Sequence, residues 1–327
     1  MTMNSPLLEV RNLSVQFQSG TDRLTAVDGV DLTLNRGETL GIVGESGCGK
    51  TVLATSLVGL LPSRARVTTQ RLRFGGVELS NISSGGWRSI RGRRIGMVFQ
   101  DPTTALNPLR TIGSQIAEAI AIHDRSATSR EIRKRVIALL ESVGIVGASR
   151  RLSEYPHQWS GGMRQRALIA MAISNSPDLL IADEPTTALD VTIQAQVLEL
   201  LRSIQKELAL AMIFISHSLG VVNSIADQVS VMYAGRIVES GPCSDVLSTP
   251  SHPYTRALTD CFPEIGRPRG SLVAIDGQPP RHIGRIDGCR FRDRCKVGRD
   301  RLDCVSHDPV LKRAAGDRSV ACHAVAV

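Results

Sequence analysis

"ETLGIVGESGCGKT", Glu38 to Thr51, joins an apolar run to a glycine-rich loop. Its first half, through Gly44, is an apolar run that reads as a buried strand. Its second half, Gly44, Glu45, Ser46, Gly47, Cys48, Gly49, Lys50 and Thr51, satisfies G-x-x-x-x-G-K-[ST] at every fixed position. A helical pattern follows, from about Gly49 to Leu61. Strand, glycine loop and helix in that order make a phosphate cradle. The glycines let backbone N–H groups turn inward around a polyphosphate, and the helix adds the positive end of its dipole. Lys50 is placed to reach the β- and γ-phosphates, and Thr51 to ligate Mg²⁺. Cys48 stands at a variable position of the loop and is incidental to this chemistry.

Outward from the cradle, strand patterns cover residues 7–17 and 24–34, with "QSGTD" between them reading as a hairpin loop. Further strands are expected at 94–100, 178–183 and 211–216, with a closing hairpin over 228–241. Helical periodicity runs from about 111 to 173 and again from 192 to 208. The expected fold class is α/β: a P-loop NTPase core, a helical subdomain inserted at about 101–175, and a small C-terminal extension. Strands separated by helices imply a largely parallel sheet covered on both faces. The ATPase domain is expected over 1–265. The extension, 266–327, is rich in Pro, Gly, Arg and Cys.

A P-loop needs a carboxylate for its magnesium. "LLIADE", Leu179 to Glu184, supplies one at the end of an apolar strand. Asp183 would hold Mg²⁺, through water. Glu184 beside it would act as general base on the attacking water, a role typically worth about 10²–10⁴-fold in rate.

Composition narrows the setting. Of 327 residues, 42% are hydrophobic, ordinary for a globular chain with a real core. No apolar run approaches the roughly 18 residues of a membrane span, and "MTMNSPLLEV" lacks a signal-peptide pattern. The expectation is a cytosolic protein, and any membrane role must come through partners. Net charge is +8, and from Gly266 onward thirteen Arg or Lys face seven Asp. Basic tails can bind nucleic acid. Aromatics are only 3% of the chain and do not interleave with the basic residues, so nucleic acid is not the expected partner.

A second anion site needs explaining. "YPHQWSGGMRQRALIAMAI", Tyr155 to Ile173, opens a helix with Ser160, Gly161 and Gly162. With the cradle before it and Asp183–Glu184 after it, "WSGGM" resembles the signature motif of ABC-type ATPases, usually written LSGGQ. Gln100 matches the Q-loop, Asp190 in "TALD" the D-loop, His217 in "ISHSL" the switch histidine, and Phe17 the aromatic that stacks on adenine. The resemblance covers roughly residues 7 to 245. In that family two subunits pack head to tail, and each ATP lies between one subunit's P-loop and the other's signature helix. Ser160, Gly161 and Gly162 would then serve the partner's γ-phosphate. ATP becomes the glue of a dimer that hydrolysis loosens.

The stretch from Tyr155 to Leu201, with "FQDPTTALNPLRTIG" (99–113) and "HPYTRAL" (252–258), is similar to the ATPases of dipeptide, oligopeptide and nickel importers. ATP chemistry does not require these stretches, so they carry the subgroup. Trp159 departs from the usual Leu or Phe; it stands beside the phosphate donors, so little consequence is expected. Met163 for Gln is usual in the subgroup. The resemblance implies a second ATPase subunit, identical or related, and two transmembrane permease subunits docking near Gln100. It also implies an extracellular or periplasmic substrate-binding protein. Peptides are the expected cargo; nickel or another small solute is the alternative. A soluble ABC-type ATPase acting on nucleic acid or ribosomes is the rival from another class. A silent regulatory subunit is disfavoured by the presence of Glu184 and His217.

Four of the seven cysteines, Cys289, Cys295, Cys304 and Cys322, fall in the last 39 residues. Their spacing does not match paired zinc-ribbon ligands. Four thiolates on an iron–sulfur cluster leave an anionic site that Arg292, Arg294 and Arg299 could offset. The C-terminal domain of peptide-importer ATPases looks like this, and some members bind a 4Fe-4S cluster there. Free or disulfide-bonded cysteines and zinc remain the alternatives, and His307 or His323 could replace a thiol. Cys243 and Cys261 are expected to be structural, His157 to pack or cap, and His123 and His252 find no partner in the sequence.

Overall fold

The computed structural model describes residues 5–19, 22–187, 189–261, 274–280, 287–314 and 316–325. The expected boundary at 266 and Ala188 of "TALD" lie outside them. The chain divides into two compact units: residues 1–81 with 214–327, and residues 82–213.

In the first unit β1 (Leu8–Ser19) and β2 (Asp22–Leu34) pair antiparallel. Their alternation buries Leu8, Val10, Leu13 and Val15 from β1 and Val30, Leu32 and Leu34 from β2. β3 (Thr39–Val43) is buried at every position, and it delivers the chain to the glycine loop and α1 (Lys50–Leu57). That helix stops short of Leu61: Val58 caps it and Gly59, at φ +62°, turns the chain away. β4 (Ala65–Thr68), β5 (Arg71–Phe74) and β6 (Val77–Glu78) complete an antiparallel sheet of order β2-β1-β5-β6, with β4 also on β1.

The second unit runs through α2 (Ser84–Ile90), β7 (Ile95–Val98), α3 (Pro102–Ala105), α4 (Ile112–Ala121), α5 (Ser129–Ser142), α6 (Ala148–Arg151), α7 (Gly161–Ile173), β8 (Leu179–Asp183) and α8 (Val191–Leu208). β7 and β8 pair in parallel, Ile95 opposite Leu179 and Val98 opposite Ala182. α5 begins at a capping box, in which Thr128 Oγ1 accepts from Glu131 N and Glu131 accepts from Thr128 N. Ile116 and Ile120 of α4 and Val136 and Leu140 of α5 are buried, with Ala167, Ile169 and Ala170 of α7. Gly96 is a close approach: a Cβ there would lie 2.3 Å from the Ala172 carbonyl of α7.

The division between units falls inside β9 (Ala211–Ser216). The first unit resumes with α9 (Leu219–Ile225), β10 (Gln228–Tyr233), β11 (Arg236–Pro242), α10 (Cys243–Ser248), α11 (Pro253–Asp260), α12 (Leu302–Ser306), β12 (Lys312–Arg313) and β13 (Ser319–Val320). β3 pairs in parallel with β10, β10 antiparallel with β11, and the C-terminal β13 extends that sheet beside β11. Arg318 fastens this edge. Its Nη2 donates to Glu239 Oε1 at 2.7 Å, and the fully buried Glu239 also accepts from Ser251 N and His252 N.

Candidate functional site

The glycine loop is shaped by two contacts no side chain could share. A Cβ at Gly44 would sit 2.1 Å from the Met232 carbonyl of β10, and one at Gly49 2.4 Å from the Ala26 carbonyl of β2. Gly49 also holds φ +109°, a conformation other residues rarely adopt. It caps α1 without a side chain, so the first-turn N–H groups have no side-chain cap. Lys50 is buried, and its Nζ donates back to the carbonyls of Gly44 (2.8 Å) and Glu45 (2.9 Å). The ammonium is thus held inside the curve of the loop. Gly235 N donates to Cys48 O at 2.9 Å, tying the loop to the β10–β11 turn. Burial pushes the Cys48 thiol up, so it stays protonated at neutral pH. Ser46 and Thr51 are exposed, and a Cβ at Gly47 would meet nothing within 4 Å. Phe17 is half-buried on β1, opposite Leu24 of β2. His217 is exposed immediately after β9. All of these residues belong to the first unit.

The second unit gathers another set. Asp183 ends β8 at 1% exposure. A carboxylate buried to that degree calls for a cationic partner or a full set of hydrogen bonds, and Asp183 suits a hard divalent cation. Glu184 follows at φ +46°, an uncommon backbone for a residue with a side chain. Such strain gathers at functional sites. Glu184 Oε2 accepts from Gln100 Nε2 (3.2 Å) and from Thr187 Oγ1 (2.9 Å). The structure thus brings Gln100, Asp183 and Glu184 together and adds Thr187, which sequence reasoning missed. Its position three residues after an acid in a turn was the available signal.

Ser160 is the N-cap of α7: its Oγ accepts from Met163 N at 3.3 Å. Gly161 and Gly162 are the first two residues of that helix, and Ser160 and Gly161 are exposed. Gly162 is needed for packing, since a Cβ would lie 2.7 Å from Ile193 Cγ2 on α8. Asp190 caps α8, its Oδ1 accepting from Ile193 N at 2.9 Å. The divergent Trp159 is 2% exposed and donates from Nε1 to Glu154 Oε2 at 2.7 Å. It points into the unit and leaves the helix start open.

In the C-terminal segment Cys289, Cys295, Cys304 and Cys322 line one small cavity together with Pro253 and Gly298. Gly298 N donates to Cys295 Sγ at 3.2 Å. Burial, reinforced by the other three thiols, pushes Cys289 up to about 12. Burial also raises Cys304 and Cys322. The residues fit an iron–sulfur cluster in kind and number but not in spacing. Among the described residues no three His, Cys, Asp or Glu side chains form a group that could hold a metal ion. His252, without an evident partner in the sequence, is 2% exposed; its Nδ1 accepts from Tyr254 N at 3.0 Å and caps α11.

The chain is similar to known proteins. The ABC transporter family matches residues 27–187, and the oligopeptide/dipeptide transporter C-terminal region matches 238–304. The dipeptide transport ATP-binding protein DppD of Bacillus subtilis is 49% identical over 88% of this chain and 86% of its own length. DppD of Escherichia coli is 44% identical over 97% of this chain and 96% of its own. Among solved structures, the ATP-binding cassette MJ0796, a dimer in a post-hydrolysis state bound to ADP and Pi, superposes with a TM-score of 0.65. It is 25% identical and covers 72% of this chain and 98% of its own. CbiO1 of Clostridium perfringens superposes at 0.61 with 29% identity, covering 75% of this chain and 92% of its own. A P-loop, a signature helix and a C-terminal segment of the oligopeptide type occur here in one chain of matching length, and the chain belongs to the ABC transporter ATP-binding proteins of the dipeptide and oligopeptide transport family.

Proposed function

We propose that this chain binds and hydrolyses MgATP to power peptide import through a membrane ABC transporter. The observation that carries the reading is the arrangement at the end of β8. A buried Asp183 is followed by a strained Glu184 held by Gln100 and Thr187. In this reading Gly44 to Thr51 wrap the triphosphate and Lys50 meets its outer phosphates. Thr51, Gln100 and Asp183 hold the Mg²⁺, which would offset phosphate charge. Glu184 takes the proton of the attacking water, His217 assists at the γ-phosphate, and Phe17 stacks on adenine. Ser160, Gly161, Gly162 and Asp190 serve the nucleotide of a second ATPase subunit, identical or related.

No helix among the described residues is long and apolar enough to cross a membrane. In the proposal the chain works from the cytoplasmic face, docked on two permease subunits and fed by an external binding protein. The exposed Phe99 and Leu109, which follow β7, suit that docking. The assembly, reconstituted in lipid, should hydrolyse ATP faster when its binding protein is loaded with dipeptide or oligopeptide. Stimulation by a nickel chelate and not by peptides would overturn the cargo assignment.

We further propose that Cys289, Cys295, Cys304 and Cys322 hold a 4Fe-4S cluster. Their shared cavity supports it, and the cavity must rearrange around the cluster for all four to bind. Protein purified without oxygen should carry iron and absorb visible light; colourless, iron-free protein would remove the cluster.

A further inference from the structure

Glu45, the second residue of the glycine loop, is gripped from the far end of the chain. Its carboxylate takes both arms of the Arg294 guanidinium: Nη1 to Oε2 at 2.6 Å and Nη2 to Oε1 at 2.9 Å. Such paired, charge-assisted bonds are strong and fix geometry. The Arg294 side chain is 6% exposed and that of Glu45 23%. Arg294 is itself held in place. Its Nε donates to Asp276 O at 3.0 Å, its Nη1 to Tyr233 Oη at 3.3 Å, and its guanidinium lies 5.8 Å from the Tyr233 ring and 5.9 Å from the Phe291 ring. Tyr233 packs on Tyr254 and Phe291 with centroids 4.6 and 5.2 Å apart. Tyr254 Oη in turn accepts from Glu45 N at 2.9 Å. Glu45 therefore meets an aromatic platform at its backbone and a buried cation at its side chain.

We propose that Arg294 is a positioning residue for the ATP site. It neutralises Glu45 and holds the loop in its phosphate-binding shape, so the C-terminal segment sets nucleotide affinity. A triphosphate brings several negative charges to the loop of which Glu45 is part. A carboxylate there repels it unless matched, and its burial lessens solvent screening. Losing one partner of a largely buried charge pair leaves the other uncompensated. The guanidinium also spares the loop some ordering on binding, because the loop is already fixed. The inference rests on the proposed phosphate role of Gly44 to Thr51.

The test is MgATP titration of the full chain by calorimetry at low and high salt. Arg294→Met keeps the length that packs on Tyr233 and Phe291 but removes the charge. It should weaken ATP binding by about tenfold or more, with the larger loss at low salt. Adding Glu45→Gln to that variant should recover most of the affinity, because the uncompensated carboxylate is gone. Arg294→Met binding like wild type, or a double variant as weak as the single one, would overturn the proposal. Glu45→Gln alone covers the case in which Arg294→Met does not fold. It keeps an amide oxygen for Arg294 to donate to, so the loop stays held, and it leaves a cation beside the loop; ATP binding should tighten, and weaker binding counts against the proposal. Lys50→Ala separates the layers: if it costs no affinity, the phosphate assignment itself fails, whatever Arg294 does.

Discussion

Replacing Glu184 by Gln removes a charge and almost nothing else. Two hydrogen bonds to Glu184 arrive at Oε2, from Gln100 Nε2 at 3.2 Å and Thr187 Oγ1 at 2.9 Å. An amide oxygen can accept both. What changes is that two charge-assisted bonds become neutral ones, a loss of about 1 kcal/mol at a half-exposed site. The strained backbone at φ +46° stays as it was. Stability should therefore move by no more than about 1 kcal/mol, and ATP affinity should survive. Turnover should not: with the proposed general base gone, hydrolysis should fall by about 10²–10⁴-fold. The assays are steady-state phosphate release, MgATP titration and urea unfolding of the same preparation. Hydrolysis near the wild-type rate would remove Glu184 as the base. A large loss of stability or of ATP affinity would show that the side chain is structural first.

Three further outcomes follow from the geometry. Gly49→Ala places a Cβ 2.4 Å from the Ala26 carbonyl at φ +109°; unfolding in urea should show a loss of at least about 2 kcal/mol, and none would mean the loop relaxes freely. Arg318→Met leaves the fully buried Glu239 without its charge partner, so stability should drop by about 3–5 kcal/mol, and a neutral result would refute that ion pair. Burial lowers His252 to about 4, so the folded state keeps it neutral while the unfolded chain protonates near 6.5. Its stabilisation is complete above about pH 6.5 and is lost as pH falls toward about 4, on the order of 2–3 kcal/mol. Chemical denaturation across that range should show the slope in wild type and a flatter one in His252→Asn.

The proposed nucleotide motifs stand out in the sequence because phosphate chemistry ties residue type to spacing within a few positions. Gly44 to Thr51, Leu179 to Glu184 and Ser160 to Gly162 are each contiguous, and each lies at the strand end or helix start its sequence implies. The antiparallel β4, β5 and β6 leave little signal in the sequence because they are short and largely exposed. The backbone strain at Glu184 has no signature in residue type. Asp190 and Ser160, proposed to serve a nucleotide, also cap helices, a role that only the folded chain reveals. The Arg294–Glu45 pair joins positions 249 apart, beyond the reach of any local pattern. His252 and the four C-terminal cysteines likewise acquire neighbours only through folding. The four thiols line one small cavity.

In the proposed function one chain's P-loop and another chain's signature helix together build each ATP site. Mixing two inactive variants tests it directly. Lys50→Ala keeps a sound Ser160 helix, and Ser160→Arg keeps a sound P-loop. A mixed dimer of the two contains one site with both halves intact, so the mixture should hydrolyse ATP although neither variant does alone. A mixture as inactive as its components, under conditions where wild type dimerises with ATP, would contradict the shared site.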